Sequence, residues 1–374
     1  MSRHILRILL FMILVLIVGM TGCKPEPIVL GFVGTLSGRY SQLGVSSRDG
    51  MVLAVDDINR NGGVDGRPVE VLIRNDEGDT ELCARQILEL KKLGVAAIIG
   101  PLTSNMEPAI REGLAHGAFI VSPTVSTDKL TGLDDLFFRS ISATGAQGQT
   151  AAGLMRQDGI LSVQILYDSS NAQYTEEVMS SFSSAFADDR HTILGEHGFH
   201  GSHKTQLVSA VRQTLEDLPE AVFFITSGTD AALMTQILRR SGFRGSVYGS
   251  QWTQTKELLA HGGGSVEGMK AVGTYVPAES SVEMNRFIEN YRRRFTNDPD
   301  FASVSSYEAV KALLLIIRET GEDDPIRIKN AMADRHYSGL QGDFYLDSFG
   351  DAHRSQGYAV VVDGQFEFYS YDES

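Results

Sequence analysis

From residue 28 onward, short β-branched runs alternate with stretches whose apolar residues recur every three to four positions. The first series predicts strand Ile28–Leu36, helix Ser46–Asn61, strand Val69–Ile73 and helix Thr80–Leu93. It continues with strand Ala96–Ile99, helix Ser104–His116 and strand Ala118–Ser122. Asn61-Gly62-Gly63 and Asp65-Gly66 supply turns. A second series opens near Gln147. It predicts strands Val163–Tyr167, Ile193–Glu196, Val222–Thr226 and Val247–Gly249. Between them lie helices Thr175–Phe186, Lys204–Leu215 and Asp230–Ser241, the last with Leu233, Met234, Ile237 and Leu238 on one face. Repeated strand–helix alternation implies parallel sheets covered by helices on both faces. The expected fold class is therefore α/β, with two doubly wound parallel-sheet lobes.

The remaining chain does not read as a third domain. Helix Val282–Phe295 places Met284, Phe287, Ile288, Tyr291 and Phe295 on one side, and Val304–Glu319 is apolar nearly all round, which predicts deep burial. Tyr358–Val362 and Gln365–Tyr369 flank Asp363-Gly364, the pattern of a hairpin.

The first residues follow a different rule. Arg3, His4 and Arg7 precede an apolar run of 13 residues, Ile8 to Met20. That is too short to span a bilayer and has the length of an export-signal core. Met20-Thr21-Gly22-Cys23 resembles the lipidation motif of bacterial lipoproteins, with Met20 where such motifs usually carry Leu. Residues 1–22 are expected to be removed, 23–27 to form a tether, and Cys23 to carry lipid. No second run of 18 apolar residues occurs. Loss of the leader takes Arg3 and Arg7 away from 33 basic residues and leaves all 47 acidic ones, a net charge of −16. Such a surface argues against nucleic acid or anionic lipid as a partner. Only Cys83 then remains, without a disulfide partner, and its spacing with Ile87 and Leu90 puts it on a buried helical stripe.

Specific strings carry the reading further. Gly34-Thr35-Leu36-Ser37-Gly38 with Gln42-Leu43-Gly44, and Ala54-Val55-Asp56-Asp57-Ile58-Asn59 with Asn61-Gly62-Gly63-Val64, stand in the first half. Ile99-Gly100-Pro101-Leu102-Thr103-Ser104 and Ser122-Pro123-Thr124-Val125-Ser126 follow, then Tyr167-Asp168 with Tyr174, and Val247-Tyr248-Gly249 before Gln251. Taken in this order from residue 28 to about 275, they resemble the type I periplasmic solute-binding proteins of ABC transporters, the Leu/Ile/Val-binding class. The resemblance implies a hinge crossed several times. One lobe would comprise 28–142 plus 274–348, the other 143–273 plus 349–374.

It also implies a site between the lobes. Ser104, ahead of Met106, Ala109, Ile110 and Leu114, stands where a helix N-cap would be, and a helix start suits a carboxylate. Members of the class use the matching serine for the ligand carboxylate. Thr103, Val125 and Ser126 lie in the neighbouring loops at the carboxyl ends of strands, the usual binding edge of parallel sheets. Tyr174 matches an aromatic residue that covers the ligand side chain, Leu43 matches a position often held by a bulky aromatic, and Ser227 ends a strand facing the cleft. Gln251 departs from the class, which has an acid there for the ligand ammonium. Either Asp230 or Glu257 supplies the charge from nearby, or the ligand lacks an α-ammonium.

Other patterns are set aside. Glu196, His197, His200 and His203 have metal-ligand chemistry, but Gly198, Gly201 and Ser202 mark a solvated loop before the next helix. Ser126-Thr127-Asp128-Lys129 mimics a Ser-x-x-Lys nucleophile without companion motifs. Gly262-Gly263-Gly264 lacks the strand and helix of a phosphate loop, and Arg292-Arg293-Arg294 reads as a solvated face. The expectation is a monomeric, lipid-anchored solute-binding protein on the outer side of a bacterial membrane. It would have no cofactor and no catalytic residues, and would deliver a branched-chain amino acid or similar carboxylate or amide to an inner-membrane ABC permease. The same fold also serves ligand-sensing lipoproteins that act on a kinase, chemoreceptor or cell-wall synthase, and fold alone does not separate the two.

Overall fold

A computed structural model of the chain describes residues 25–38, 40–201, 203–274 and 282–371. The leader and Cys23 lie outside these residues. In chain order the strands are β1 (Ile28–Gly34), β2 (Val69–Asn75), β3 (Ala97–Ile99), β4 (Ile120–Ser122) and β5 (Phe137–Arg139). The helices among them are α1 (Ser41–Arg60), α2 (Thr80–Lys92) and α3 (Glu107–Ala115). These strands form one parallel sheet in the order β2-β1-β3-β4-β5. Both faces of its central strands are covered, so β1, β3 and β4 are apolar almost throughout.

The second series begins with helix α4 (Thr144–Gln157) and runs through β6 (Ser162–Asp168), α5 (Ala172–Phe186), β7 (Thr192–Phe199), α6 (Lys204–Thr214) and β8 (Ala221–Ile225). It ends with α7 (Gly228–Arg240), β9 (Ser246–Gly249), α8 (Lys256–Gly262) and β10 (Lys270–Gly273). The final part adds α9 (Val282–Phe295), α10 (Phe301–Thr320), α11 (Pro325–Met332), and strands β11 (Arg335–Tyr337), β12 (Phe344–Leu346), β13 (Ala352–His353), β14 (Gly357–Val362) and β15 (Gln365–Ser370). The second sheet has the order β15-β14-β10-β9-β8-β6-β7, parallel except that β14 pairs antiparallel with both β10 and β15. The hairpin at Asp363-Gly364 thus joins this sheet, while β11-β12-β13 form a small antiparallel sheet. The architecture is α/β with two doubly wound lobes.

Helix α10 serves the first lobe. Val310, Leu313, Leu314 and Ile317 enter the same core as Phe32, Met51, Ala54 and Ile99. Its start is fixed by Asp300, whose carboxylate accepts from the Ala302 and Ser303 N–H groups, while Ser303 returns a bond to the Asp300 backbone. Ser46 of α1 donates to the same carboxylate at 2.7 Å. Cys83 is fully buried among Ile87, Leu90 and Ile110, and burial raises its thiol pKa well above the ordinary value. It is a packing residue.

Two crossings between the sheets, residues 140–143 and 354–356, are tied together by buried charge. The Arg354 guanidinium meets the Glu308 carboxylate at 2.7 Å, with both side chains at most 3% exposed. It also donates to the Ser140 carbonyl and stacks 4.0 Å over the Phe344 ring, and the Arg354 N–H reaches the Ser142 hydroxyl.

Candidate ligand-binding cleft

The carboxyl ends of β3 and β4 deliver two loops to the space between the sheets. The first turns at Gly100, which has φ +97°; a Cβ there would lie 2.0 Å from the Val33 carbonyl oxygen, so glycine is required. Thr103 is extended, and Ser104 opens a 3-10 turn, Ser104–Met106, that leads into α3. The helix expected over 104–116 is thus split, and Ser104 is the first residue of the turn rather than its cap. Its N–H still belongs to the set a helical start leaves without internal partners. Thr103, at the cap position, makes no side-chain bond to the turn, and the Asn105 N–H donates to Asn171 Oδ1 at 3.3 Å.

The second loop is held by Arg139, which ends β5 and is 1% exposed. Its guanidinium donates to the Ser126 and Thr127 carbonyls at 2.9 and 3.0 Å and to Thr131, and pairs with Asp351 at 2.7 Å. Ser126 is further set by the start of α4: Thr144 donates to the Ser126 hydroxyl oxygen at 2.8 Å. With its oxygen accepting, the Ser126 hydroxyl proton is left to give to something in the cleft.

These loops face the second lobe across a cleft. Leu43, Leu102, Ile141 and Phe301 line it on one side, with Tyr174 and Trp252 forming an apolar wall opposite. Tyr174 and Trp252 meet edge to face with ring centroids 6.0 Å apart. The polar lining is Thr103, Ser104, Thr124, Ser126, Gln147, Asn171 and Gln251. None of the thirteen lining residues carries a charge. Tyr174 donates to Gln147 Oε1 at 2.7 Å, and burial raises its phenol pKa, so it stays neutral.

Six expected site residues are brought together here: Leu43, Thr103, Ser104, Ser126, Tyr174 and Gln251. Val125 and Ser227 are not among the lining. The Val125 side chain is fully buried in the apolar cluster with Ile110, Leu130 and Phe137. Ser227 is the N-cap of α7, accepting from the Asp230 N–H and donating to the Asp230 carboxylate. Asp230 and Glu257, considered as substitutes for the missing acid, are buried outside the lining. Sequence reasoning did not find Leu102, Thr124, Ile141, Gln147, Asn171, Trp252 and Phe301. Trp252, the only tryptophan in the chain and adjacent to Gln251, was the one with a visible marker.

The lobes are latched at the cleft rim. Tyr40 donates to the Asp168 carboxylate at 2.6 Å and accepts from Ser170 at 2.8 Å. Burial and then Asp168 raise the Tyr40 phenol pKa far above its ordinary value, so the donor persists at every physiological pH. Asn105 bonds the Ser170 carbonyl, and Thr127 and the Asp128 N–H bind Glu177 at 2.6 and 2.9 Å. Lys129 pairs with Gln173.

The histidine-bearing segment is partly strand, since β7 includes Glu196, His197 and Gly198. Among the described residues no group of three or more His, Cys, Asp or Glu side chains is placed to hold a metal ion. Nor is any helix among them long and apolar enough to cross a membrane.

Comparison with known proteins places this geometry. The chain is 22% identical over 333 residues to the leucine-, isoleucine-, valine-, threonine- and alanine-binding protein of Pseudomonas aeruginosa, covering 87% of each. It is 24% identical over 335 residues to the Leu/Ile/Val-binding protein of Escherichia coli, covering 87% and 88%. Among solved structures, a branched-chain amino acid transporter substrate-binding protein of Streptococcus pneumoniae, in complex with isoleucine, superposes with a TM-score of 0.85 at 19% identity, covering 92% and 99%. An ABC transporter solute-binding protein of R. palustris, in complex with benzoate, superposes with a TM-score of 0.83 at 19% identity, covering 92% and 96%. The periplasmic binding protein family matches residues 27–365, nearly the whole of the described chain, and this protein belongs to that family.

Proposed function

We propose that the chain is the extracytoplasmic solute-binding component of an ABC importer, and that it captures a small carboxylate between its lobes. The observation that carries this reading is the pair of hydroxyls at Ser104 and Ser126, the first at a helical start, in a cleft whose apolar lining includes Leu43, Leu102, Tyr174 and Trp252. A carboxylate at the Ser104 turn would meet the Ser104 N–H and hydroxyl, since the Asn105 and Met106 N–H groups already bond Asn171 and Thr103. The Ser126 proton, turned outward by Thr144, would provide a further bond. The apolar wall would cover the rest of the ligand, and the rim bonds from Tyr40, Asn105 and Thr127 would hold the lobes shut in the form a permease recognises. The relatives that bind small amino acids support the solute class, and the transporter substrate-binding proteins of the same fold support the transport role.

Thermal-shift screening with leucine, isoleucine, benzoate and other small carboxylates tests it, since ligand binding raises stability. At least one should protect. Ser104→Ala should then weaken that compound by about 1–3 kcal/mol, roughly ten- to a hundredfold, because a buried carboxylate loses a donor. Failure of every small carboxylate to protect would refute the proposal.

Anchoring belongs to the same reading. Cys23 ends an apolar export run and lies outside the described residues. We expect Cys23→Ala to release the mature protein from the membrane fraction and to remove the mass of the attached lipid. Unchanged fractionation and mass would exclude lipidation at Cys23.

A further inference from the structure

The polar groups lining the cleft have a direction. Gln147 Oε1 already accepts from the Tyr174 hydroxyl and from the Gln251 N–H, at 2.7 and 3.4 Å. The backbone donor fixes which end of the amide is the oxygen, so the amide nitrogen of Gln147 is the end left for the cleft. Asn171 is set in the same way: its Oδ1 accepts from the Asn105 N–H at 3.3 Å, leaving Nδ2. The Tyr174 hydroxyl gives its proton to Gln147, and Thr124 gives its own to the Leu102 carbonyl. Among the described residues, the amide nitrogens of Gln147 and Asn171 and the indole nitrogen of Trp252 make no bond within the chain.

Gln251 does not reverse this balance. Its amide nitrogen donates to Thr274 at 3.0 Å, and its side chain lies against Gly273, where a Cβ would come within 2.9 Å of Gln251 Cγ. Its Oε1 is buried without a partner and is a neutral acceptor. Neither a carboxylate nor any other charge lines the cleft. An α-ammonium enclosed here would give up water for neutral groups alone: the Gln147, Asn171 and Trp252 N–H ends oppose it, and the Tyr174, Thr124 and Gln251 oxygens accept without a counter-charge. A buried charge without a counter-charge is strongly disfavoured.

We infer that this protein selects carboxylic acids that lack an α-ammonium, and that any second polar group on the ligand is a hydrogen-bond acceptor such as a 2-oxo group. We assign this preference to Gln147, because the two bonds its oxygen accepts leave its amide nitrogen, an uncharged donor, for the cleft. This rests on the carboxylate-binding reading above and narrows it.

Matched pairs that differ only at the α-carbon separate the two. Calorimetry would compare leucine with 4-methyl-2-oxopentanoate, and phenylalanine with phenylpyruvate, with benzoate as an acid that has no α-substituent. The oxo acid should bind at least tenfold more tightly than its amino acid in whichever pair binds. Gln147→Glu keeps the two bonds that Gln147 Oε1 accepts and places a carboxylate oxygen at the amide-nitrogen position. It should weaken the oxo acid or benzoate at least tenfold and bring the amino acid level with it or ahead. An amino acid that binds the unaltered protein as tightly as its oxo acid, or more tightly, overturns this inference and leaves the carboxylate reading intact. Absence of binding by all five compounds overturns this inference, and failure of the wider carboxylate screen as well overturns the reading it rests on.

Discussion

Arg354→Ala is expected to lower the unfolding free energy by about 3–5 kcal/mol, because it removes one partner of a buried ion pair and leaves the other charged. Glu308 is 2% exposed at its side chain and would keep only Gln341, whose N–H and amide nitrogen donate to it at 2.8 and 3.3 Å. The same change frees the Ser140 carbonyl and uncovers the Phe344 ring. Denaturant unfolding should show the loss, and a lobe-sized cooperative unit should melt about 6–20 °C lower. The expectation is specific to charge imbalance. Arg354→Met combined with Glu308→Met should recover most of the stability, since replacing both partners by apolar groups is often close to neutral. A single variant as stable as the parent protein would show that water reaches Glu308. Because Ser140 and Ser142 lie on one crossing between the lobes and Arg354 on another, the recovered double variant should still bind ligand with a changed affinity. Its hinge segments would no longer be fastened to each other.

How much of this was legible in the sequence depended on what each segment packs against. The strands of both parallel sheets were readable because burial on two faces makes them continuous apolar runs, as in Ile28–Gly34 and Ala221–Ile225. Phe137–Arg139 escaped notice as a strand of three residues ending in a charge, yet that charge holds the Ser126 loop. Helix α4 was equally obscure. Gly145, Gly148 and Gly153 weaken its helical pattern, and packing against backbone requires Gly148, while Gly153 meets only the movable end of the Tyr371 side chain. A Cβ on Gly148 would fall 2.6 Å from the Phe182 backbone nitrogen, and one on Gly153 would fall 1.9 Å from the Tyr371 hydroxyl. The small sheet β11-β12-β13 has strands of two or three residues and no usable alternation. At the cleft, the family strings that end two strands, with the helix start at Ser104, pointed to Thr103, Ser104 and Ser126. The far wall could not be reached that way. Phe301 enters it from the start of a helix almost 200 residues beyond Ser104, and only the crossing of α1 with α10 brings it there.

That crossing should be the least tolerant contact in the first lobe. A Cβ on Gly50 of α1 would lie 2.0 Å from the Ser303 carbonyl oxygen, 2.7 Å from its carbon and 2.8 Å from its Cα. All three are backbone atoms of α10, so no side-chain rotation relieves the overlap and the helices must separate. Gly50→Ala gains about 1 kcal/mol of helix propensity. Against this stands the overpacking of a filled core, typically 1–3 kcal/mol and more where backbone must shift. Both helices lean on one apolar cluster, with Met51 and Ala54 of α1 facing Val310, Leu313 and Leu314 of α10, so separation loosens contacts along their length. We expect a net loss of about 3 kcal/mol. Gly264→Ala is the matched control, since a Cβ there meets nothing within 4 Å, and it should be silent. Ser303 is two residues from Phe301, which lines the cleft, and its carbonyl sits beside the Asp300 cap. Gly50→Ala should therefore weaken ligand binding as well as folding, although Gly50 does not line the cleft. Equal stability of the Gly50 and Gly264 variants would mean that α1 and α10 sit farther apart than described.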